Sequence, residues 1–124
     1  MAATPDVAIP TLEWLLTSEH ELVSVITQPD RPAGRGRVLK ESEVSQWADD
    51  NGVLCIKPQT TQETALALEG ADVLLTIGYG VLLPESVLAV PRHGCLNLHF
   101  SLLPRWRGAA QCNALLKPAT RYRA

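Results

Sequence analysis

The 124-residue sequence has few cysteines, no long apolar run and no excess of charge of either sign. Its three cysteines, Cys55, Cys95 and Cys112, lie far apart without a CxxC pair, which argues against a disulfide framework and a zinc site. No apolar stretch is long enough to span a bilayer, and no charged leader precedes a hydrophobic core, which argues against membrane insertion and secretion. We therefore expect reduced thiols in a cytoplasmic protein with no membrane partner.

The composition is that of a soluble globular protein, with 46% hydrophobic residues, 19% charged residues and a formal net charge of −2. A chain of this length can form one domain with a real core but not two. Nothing in the overall charge indicates a nucleic-acid-binding protein.

Short apolar runs alternate with helical patterns along the chain. Thr4, Pro5 and Asp6 predict a helix start, and Ser42 predicts the cap of a second helix that ends at Gly52. Strands are expected at residues 22–26, 53–56, 72–77 and 95–99, further helices at residues 62–69 and after Pro84, and a loop at residues 28–40. This alternation predicts an open α/β sheet, in which ligands bind beyond the carboxyl ends of the strands.

The last predicted strand ends with an amide and an imidazole two residues apart, Asn97 and His99. In an extended strand that spacing puts both side chains on one face. An amide can donate to an oxyanion, and an imidazole can exchange a proton near neutral pH, so the pair suits acyl transfer. The alternative is a strand-end pair whose polar atoms are satisfied by backbone groups. The neighbouring residues favour a site, because they form an apolar wall for a flat heteroaromatic ligand: Ser101, Leu102, Leu103 and Pro104.

The predicted loop at residues 28–40 is strongly basic, and only Asp30 opposes its four cations, Arg31, Arg35, Arg37 and Lys40. Such clusters are most often solvated turns, although a cationic loop beside an active site also suits a phosphate-bearing partner such as an RNA acceptor stem. The segment Gly34-Arg35-Gly36 matches no phosphate-binding motif.

Residues 2–110 resemble the N-terminal part of the methionyl-tRNA formyltransferase family. The resemblance rests on four segments, which are Ala3-Thr4-Pro5-Asp6, residues 27–36, Tyr79-Gly80 and residues 97–110. It implies a Rossmann-like, mostly parallel sheet. The implied reaction is transfer of a formyl group from 10-formyltetrahydrofolate to the amino group of methionyl initiator tRNA, by a monomer that needs no metal.

The resemblance also implies residue roles. Asn97 and His99 belong to catalysis, the basic loop lies near the tRNA acceptor arm, and the folate is contacted by Tyr79, Gly80, Ser101, Leu102, Leu103 and Pro104. Two alternatives stay open. The first is a formyltransferase that acts on a sugar nucleotide or a small amine, since related enzymes share an Asn-x-His-x-Ser-Leu-Leu-Pro core. The second is a non-catalytic fragment that binds folate or RNA.

The sequence departs from the family pattern at both ends. Members begin with an apolar strand before the Thr-Pro turn, so we expect the first strand to be missing here. After Ala110 the family continues with a helix, an Asp that completes the catalytic set and a second, β-rich domain. We therefore divide the chain into a partial catalytic domain at residues 1–110 and an atypical tail at residues 111–124. Our hypothesis is that the tail comes from a one-base frameshift or a misassembled gene.

Overall fold

Apolar segments form a parallel sheet at the centre of the computed structural model, which describes residues 1–99. Its five strands are β1 (Ala2–Ala3), β2 (Val25–Ile26), β5 (Cys55–Ile56), β6 (Leu74–Ile77) and β7 (Cys95–Leu98). They stand in the order β5-β2-β1-β6-β7 and all pair in parallel. The predicted open α/β sheet is confirmed.

Helices cover both faces of this sheet, because side chains alternate between the two faces along each strand. Ala3, Val25 and Ile77 pack on one face in a buried cluster with residues of α1 (Ile9–Thr17) and α2 (Glu43–Asn51). Ile26, Leu74 and Cys95 pack on the other face, against the segments around α3 (Thr61–Ala67) and α4 (Glu85–Leu88). No helix among residues 1–99 is long and apolar enough to cross a membrane.

Local capping sets the bounds of two helices. The Ser42 hydroxyl accepts a hydrogen bond from the Ser45 amide at 3.0 Å, and Gly52 ends α2 in the left-handed region, with φ of 67°. Both ends of this helix match the prediction. The helix α3 begins in the same way, because the Thr60 hydroxyl accepts from the Glu63 amide at 3.1 Å.

The expectation that the first strand is missing is wrong in part. Ala2 and Ala3 form a two-residue strand, β1, that pairs in parallel with β2 on one side and with β6 on the other. Two alanines suffice because the neighbouring strands supply the hydrogen bonds on both edges, and both residues are fully buried. The Ile26 amide donates to the Met1 carbonyl at 2.7 Å and extends this pairing.

The predicted helix start at Thr4 is also wrong. Pro5 is extended, and the chain enters α1 through a 3-10 turn at Asp6–Ala8. The Thr4 hydroxyl donates to the Tyr79 carbonyl at 2.9 Å instead of capping a helix. A bond to a residue distant in sequence replaces the local cap that the pattern predicts.

The predicted loop at residues 28–40 contains an antiparallel hairpin. Its strands are β3 (Arg31–Ala33) and β4 (Val38–Lys40), and all six strand residues are exposed. Proline is tolerated here because Pro32 stands in an isolated two-stranded ribbon, where it interrupts no central ladder.

Some predictions concern residues outside the described part of the chain. They are the apolar wall of Ser101, Leu102, Leu103 and Pro104, the boundary at residue 110 and the tail at residues 111–124. The division of the chain therefore stays a prediction, which sequencing of the locus tests. A downstream adjacent frame without a formyltransferase continuation contradicts the frameshift.

The Met1 ammonium generates a prediction about pH. It donates to the Ser24 carbonyl at 2.9 Å, and burial lowers the pKa of the amine from 8.0 to about 6. Between pH 6 and 8 the unfolded chain therefore binds more protons than the folded chain. We expect the free energy of unfolding to rise by about 2 kcal/mol across this window, as measured by urea denaturation.

Acetylation of the amino terminus provides the control, because it removes the titrating group and retains an N–H donor. The acetylated chain should lose the part of the slope that the amine contributes. Equal slopes for the two chains would contradict this assignment.

Candidate active site

The carboxyl ends of the parallel strands bring five polar segments to one edge of the sheet. Thr4 follows β1, Gln28 lies two residues after β2, and Lys57 follows β5. The Gly78-Tyr79-Gly80 turn follows β6, and His99 follows β7. The strand order reverses direction at β1 and β6, the position where open α/β sheets bind their ligands.

The Tyr79 carbonyl connects three segments of this edge through hydrogen bonds. It accepts hydrogen bonds from Thr4 Oγ1 at 2.9 Å and from Gln28 Nε2 at 2.6 Å. The Tyr79 side chain is 1% exposed in the apolar core, and burial raises the pKa of its phenol. Any contact of Tyr79 with a ligand would therefore run through its backbone.

Asn97 is half-buried on β7, beside Thr76 of β6. The parallel register makes these two residues direct partners, and the Thr76 hydroxyl donates to Asn97 Oδ1 at 2.8 Å. The carboxamide oxygen is thereby occupied. Within residues 1–99 no group accepts a hydrogen bond from Asn97 Nδ2.

His99 lies one residue beyond the end of β7 and is half-buried. Exposure alternates along this strand, with Leu96 and Leu98 exposed and Cys95 and Asn97 more buried. His99 is half-buried, as Asn97 is. That the amide and the imidazole share one face stays a prediction.

The basic hairpin projects from the same edge of the sheet. Arg31 and Lys40 are direct cross-strand partners, while Arg35 and Arg37 lie in the connecting turn. Like charges opposite each other destabilise an isolated ribbon. In the described part of the chain none of these four cations makes an ion pair.

Asp30, the acid expected to oppose this charge, is bound elsewhere. Lys57 Nζ lies 2.7 Å from Asp30 Oδ1 and 3.6 Å from Glu41 Oε2. The hydrogen bond to Asp30 is the main cause that raises the pKa of Lys57. The hairpin therefore presents its positive charge to solvent.

A cleft of about 240 Å³ separates the hairpin from the sheet edge. Its walls include Thr4, Gln28, Arg31, Lys40 and Ser42, but neither Asn97 nor His99. Asn97 and His99 therefore lie outside this cleft, which opens on the β1–β2 side of the edge. Among residues 1–99 there is no cluster of three His, Cys, Asp or Glu side chains able to hold a metal ion.

A family profile described as formyl transferase matches residues 3–122, nearly the whole chain. The chain belongs to the formyl transferase family. Curated relatives of this formyl transferase include the methionyl-tRNA formyltransferase of Methylobacillus flagellatus, which is 50% identical over 113 residues, covering 88% of this chain and 37% of the relative. The enzymes of the same name from Hydrogenovibrio crunogenus and Chromohalobacter salexigens are 51% and 53% identical, over 88% of this chain and 36% and 35% of their own lengths.

The family comparison confirms the predicted membership, and this formyl transferase chain spans just over a third of the length of those relatives. The roles of individual residues stay predictions. The structure brings Asn97 and His99 to the edge where Tyr79 and Gly80 also lie, with the hairpin cations on the β2 side of that edge.

Sequence reasoning missed three residues of this site in the formyl transferase chain: Thr4, Gln28 and Thr76. Thr76 carried a signal, because it is the polar residue within the buried apolar run of β6. Thr4 and Gln28 carried none, since their shared partner is a backbone carbonyl more than 50 residues away in sequence.

Gly80 provides a test of the Tyr79 junction. Its φ is +83°, and an added Cβ would overlap Gln28 Nε2. We expect Gly80→Ala to lower the free energy of unfolding by about 2 kcal/mol, since it combines left-handed strain with loss of the Gln28–Tyr79 bond.

Gly70→Ala is the matched control, because Gly70 has φ of +80° but no atom within 4 Å of an added Cβ. Denaturant unfolding of both variants separates backbone strain from the clash. Equal losses of stability would show that the Gln28 contact contributes nothing.

Proposed function

We propose that this chain supplies the formyl-transfer site of a methionyl-tRNA formyltransferase, moving a formyl group from 10-formyltetrahydrofolate to the amino group of methionyl initiator tRNA. The observation that supports this most directly is the Asn97 carboxamide. Its oxygen is held by Thr76 at 2.8 Å, and its strand, β7, ends at the edge where parallel sheets bind ligands.

The chemistry follows from the groups at the edge. Attack of the methionyl amine on the formyl carbon forms a carbon–nitrogen bond and places negative charge on the formyl oxygen. Asn97 Nδ2 donates to that oxygen, and His99 accepts the proton that the amine releases. Collapse of the tetrahedral species breaks the bond from the formyl carbon to N10 of the folate, and the proton passes to that nitrogen.

The described residues fit a formyl donor at its reacting end. Asn97 offers an oriented neutral donor, which suits a carbonyl oxygen that becomes an oxyanion. The predicted contacts to the folate ring fall mainly on Ser101, Leu102, Leu103 and Pro104, beyond the described residues. Tyr79 and Gly80 would contribute backbone atoms of a fixed turn.

The hairpin supports a polyanionic acceptor. Four exposed cations without described ion-pair partners suit the phosphates of a tRNA acceptor arm better than a small amine. A sugar nucleotide carries fewer phosphates, so it remains the second acceptor to compare. We also propose a cytoplasmic, monomeric protein, in keeping with a translation substrate.

Asn97→Asp tests the transfer site. Aspartate keeps the size of the side chain and an acceptor for Thr76, but it loses the N–H donors and adds a negative charge. We expect donor affinity, measured by calorimetric titration with 10-formyltetrahydrofolate, to fall at least about 10-fold. Formylation of methionyl-tRNA should fall by about 100-fold or more.

Leu96→Gln is the matched control, since Leu96 is 51% exposed on the opposite side of the same strand. It should change neither quantity. If the unmodified chain binds the formyl donor but transfers no formyl group, the chain is the non-catalytic fragment of the alternative hypothesis. Absence of both donor binding and transfer would contradict the proposal.

The hairpin is tested by replacing Arg31, Arg35, Arg37 and Lys40 with glutamine. The affinity for methionyl-tRNA should fall, and the slope of log affinity against log salt concentration should decrease by roughly three to four. Filter binding at several salt concentrations measures both.

Arg92→Gln is the control, because Arg92 is an exposed cation near the amino end of β7, away from the hairpin. Its salt slope should match that of the unmodified chain. An unchanged slope in the hairpin variant would place the tRNA contact elsewhere.

A further inference from the structure

Thr76 is an unusual residue for its position. It is fully buried in β6, between β1 and β7, and the other three residues of this strand are Leu74, Leu75 and Ile77. Valine has the same shape, favours strands at least as well and carries no hydroxyl to desolvate. Packing alone therefore does not explain a hydroxyl here.

The contacts of the hydroxyl supply an explanation. Thr76 Oγ1 lies 2.8 Å from Asn97 Oδ1 and 3.4 Å from the Leu96 carbonyl. A hydroxyl has one hydrogen to donate, and the shorter distance makes the Asn97 oxygen its main acceptor. The bond joins direct cross-strand partners, so the backbone register holds both ends of it.

The direction of this bond determines which end of the carboxamide meets a ligand. An amide has an acceptor end and a donor end of nearly equal size, and rotation by half a turn about its last bond exchanges them. When the oxygen is fixed on Thr76, the Nδ2 end is directed away from β6. The opposite orientation would present an oxygen to the formyl oxygen and repel it.

We propose that Thr76 is a positioning residue, which holds the Asn97 carboxamide so that Nδ2, and not Oδ1, faces the formyl oxygen of the donor. The inference rests on the proposed function and deepens it. Thr76 contacts no substrate itself and acts through Asn97. Its contribution is to remove the rotational freedom of the amide before the donor binds.

The test compares Thr76→Val, which removes the hydroxyl at constant shape, with Thr76→Ser, which retains it. The measured quantity is the ratio of affinities for 10-formyltetrahydrofolate and for tetrahydrofolate, which isolates recognition of the formyl group. We expect the ratio to fall roughly 10-fold in Thr76→Val, with unchanged affinity for tetrahydrofolate, and to recover in Thr76→Ser.

A second measurement on the free chain needs no ligand. The nuclear magnetic resonance signal of the Asn97 side-chain amide is assigned by its loss in Asn97→Asp. The order parameter of this amide, measured by relaxation, should be lower in Thr76→Val and unchanged in Thr76→Ser. A merely structural role would alter the melting temperature without moving the amide or the affinity ratio.

The outcomes separate the two proposals. Failure of the unmodified chain to prefer the formylated folate would overturn the proposed function, while the relaxation measurement would still decide whether Thr76 orients the amide. A preference lost in Asn97→Asp but kept in Thr76→Val, with an unchanged order parameter, would overturn the positioning role.

Discussion

The parallel register of β1, β6 and β7 is the constraint on which the candidate site depends. Ala3 pairs with Ile77, and Ile77 pairs with Leu98, so the three strands end at the same level. The residues that follow them are therefore neighbours. A shift of β7 by one residue would turn Asn97 to the other face and separate it from Thr76.

Two residues complete that arrangement at the centre of the sheet. β1 joins the β2–β5 pair to the β6–β7 pair, and its alanines are buried on opposite faces. The junction continues beyond the strand, where Thr4 and Gln28 both donate to the Tyr79 carbonyl. The same contacts that hold the sheet together thus shape the edge where the ligand would bind.

The charged side chains near the hairpin are distributed unevenly between paired and unpaired groups. The described ion pairs of Lys57 take up Asp30 and Glu41, which lie at the base of the hairpin. The hairpin cations make no ion pair among residues 1–99, and the whole chain carries a net charge of −2. A local positive field on a mildly acidic protein fits attraction of a polyanion to one side of the site.

Features with local causes could be predicted from the sequence, and features with distant causes could not. The helix α2 was predicted at both ends, because Ser42 and Gly52 are themselves the capping residues. β1 was missed because two alanines carry no strand pattern, and its pairing comes from β2 and β6. Thr4 was assigned to a helix cap because its true partner, the Tyr79 carbonyl, is a tertiary contact.

The candidate site divides in the same way. The pairing of Asn97 with His99 rests on alternation along one strand, which is a local property, and it stays a prediction. The bond from Thr76 to Asn97 depends on the register between two strands, which no single segment reveals. The hairpin was read as a loop because three-residue strands with a proline lack a periodic pattern.

A structure of the chain bound to a stable analogue of the formyl donor tests the central claim most directly. We predict that Asn97 Nδ2 lies about 2.9 Å from the formyl oxygen, with Oδ1 still on the Thr76 hydroxyl. A formyl group bound away from the end of β7, or facing Oδ1 of a reversed carboxamide, would contradict it.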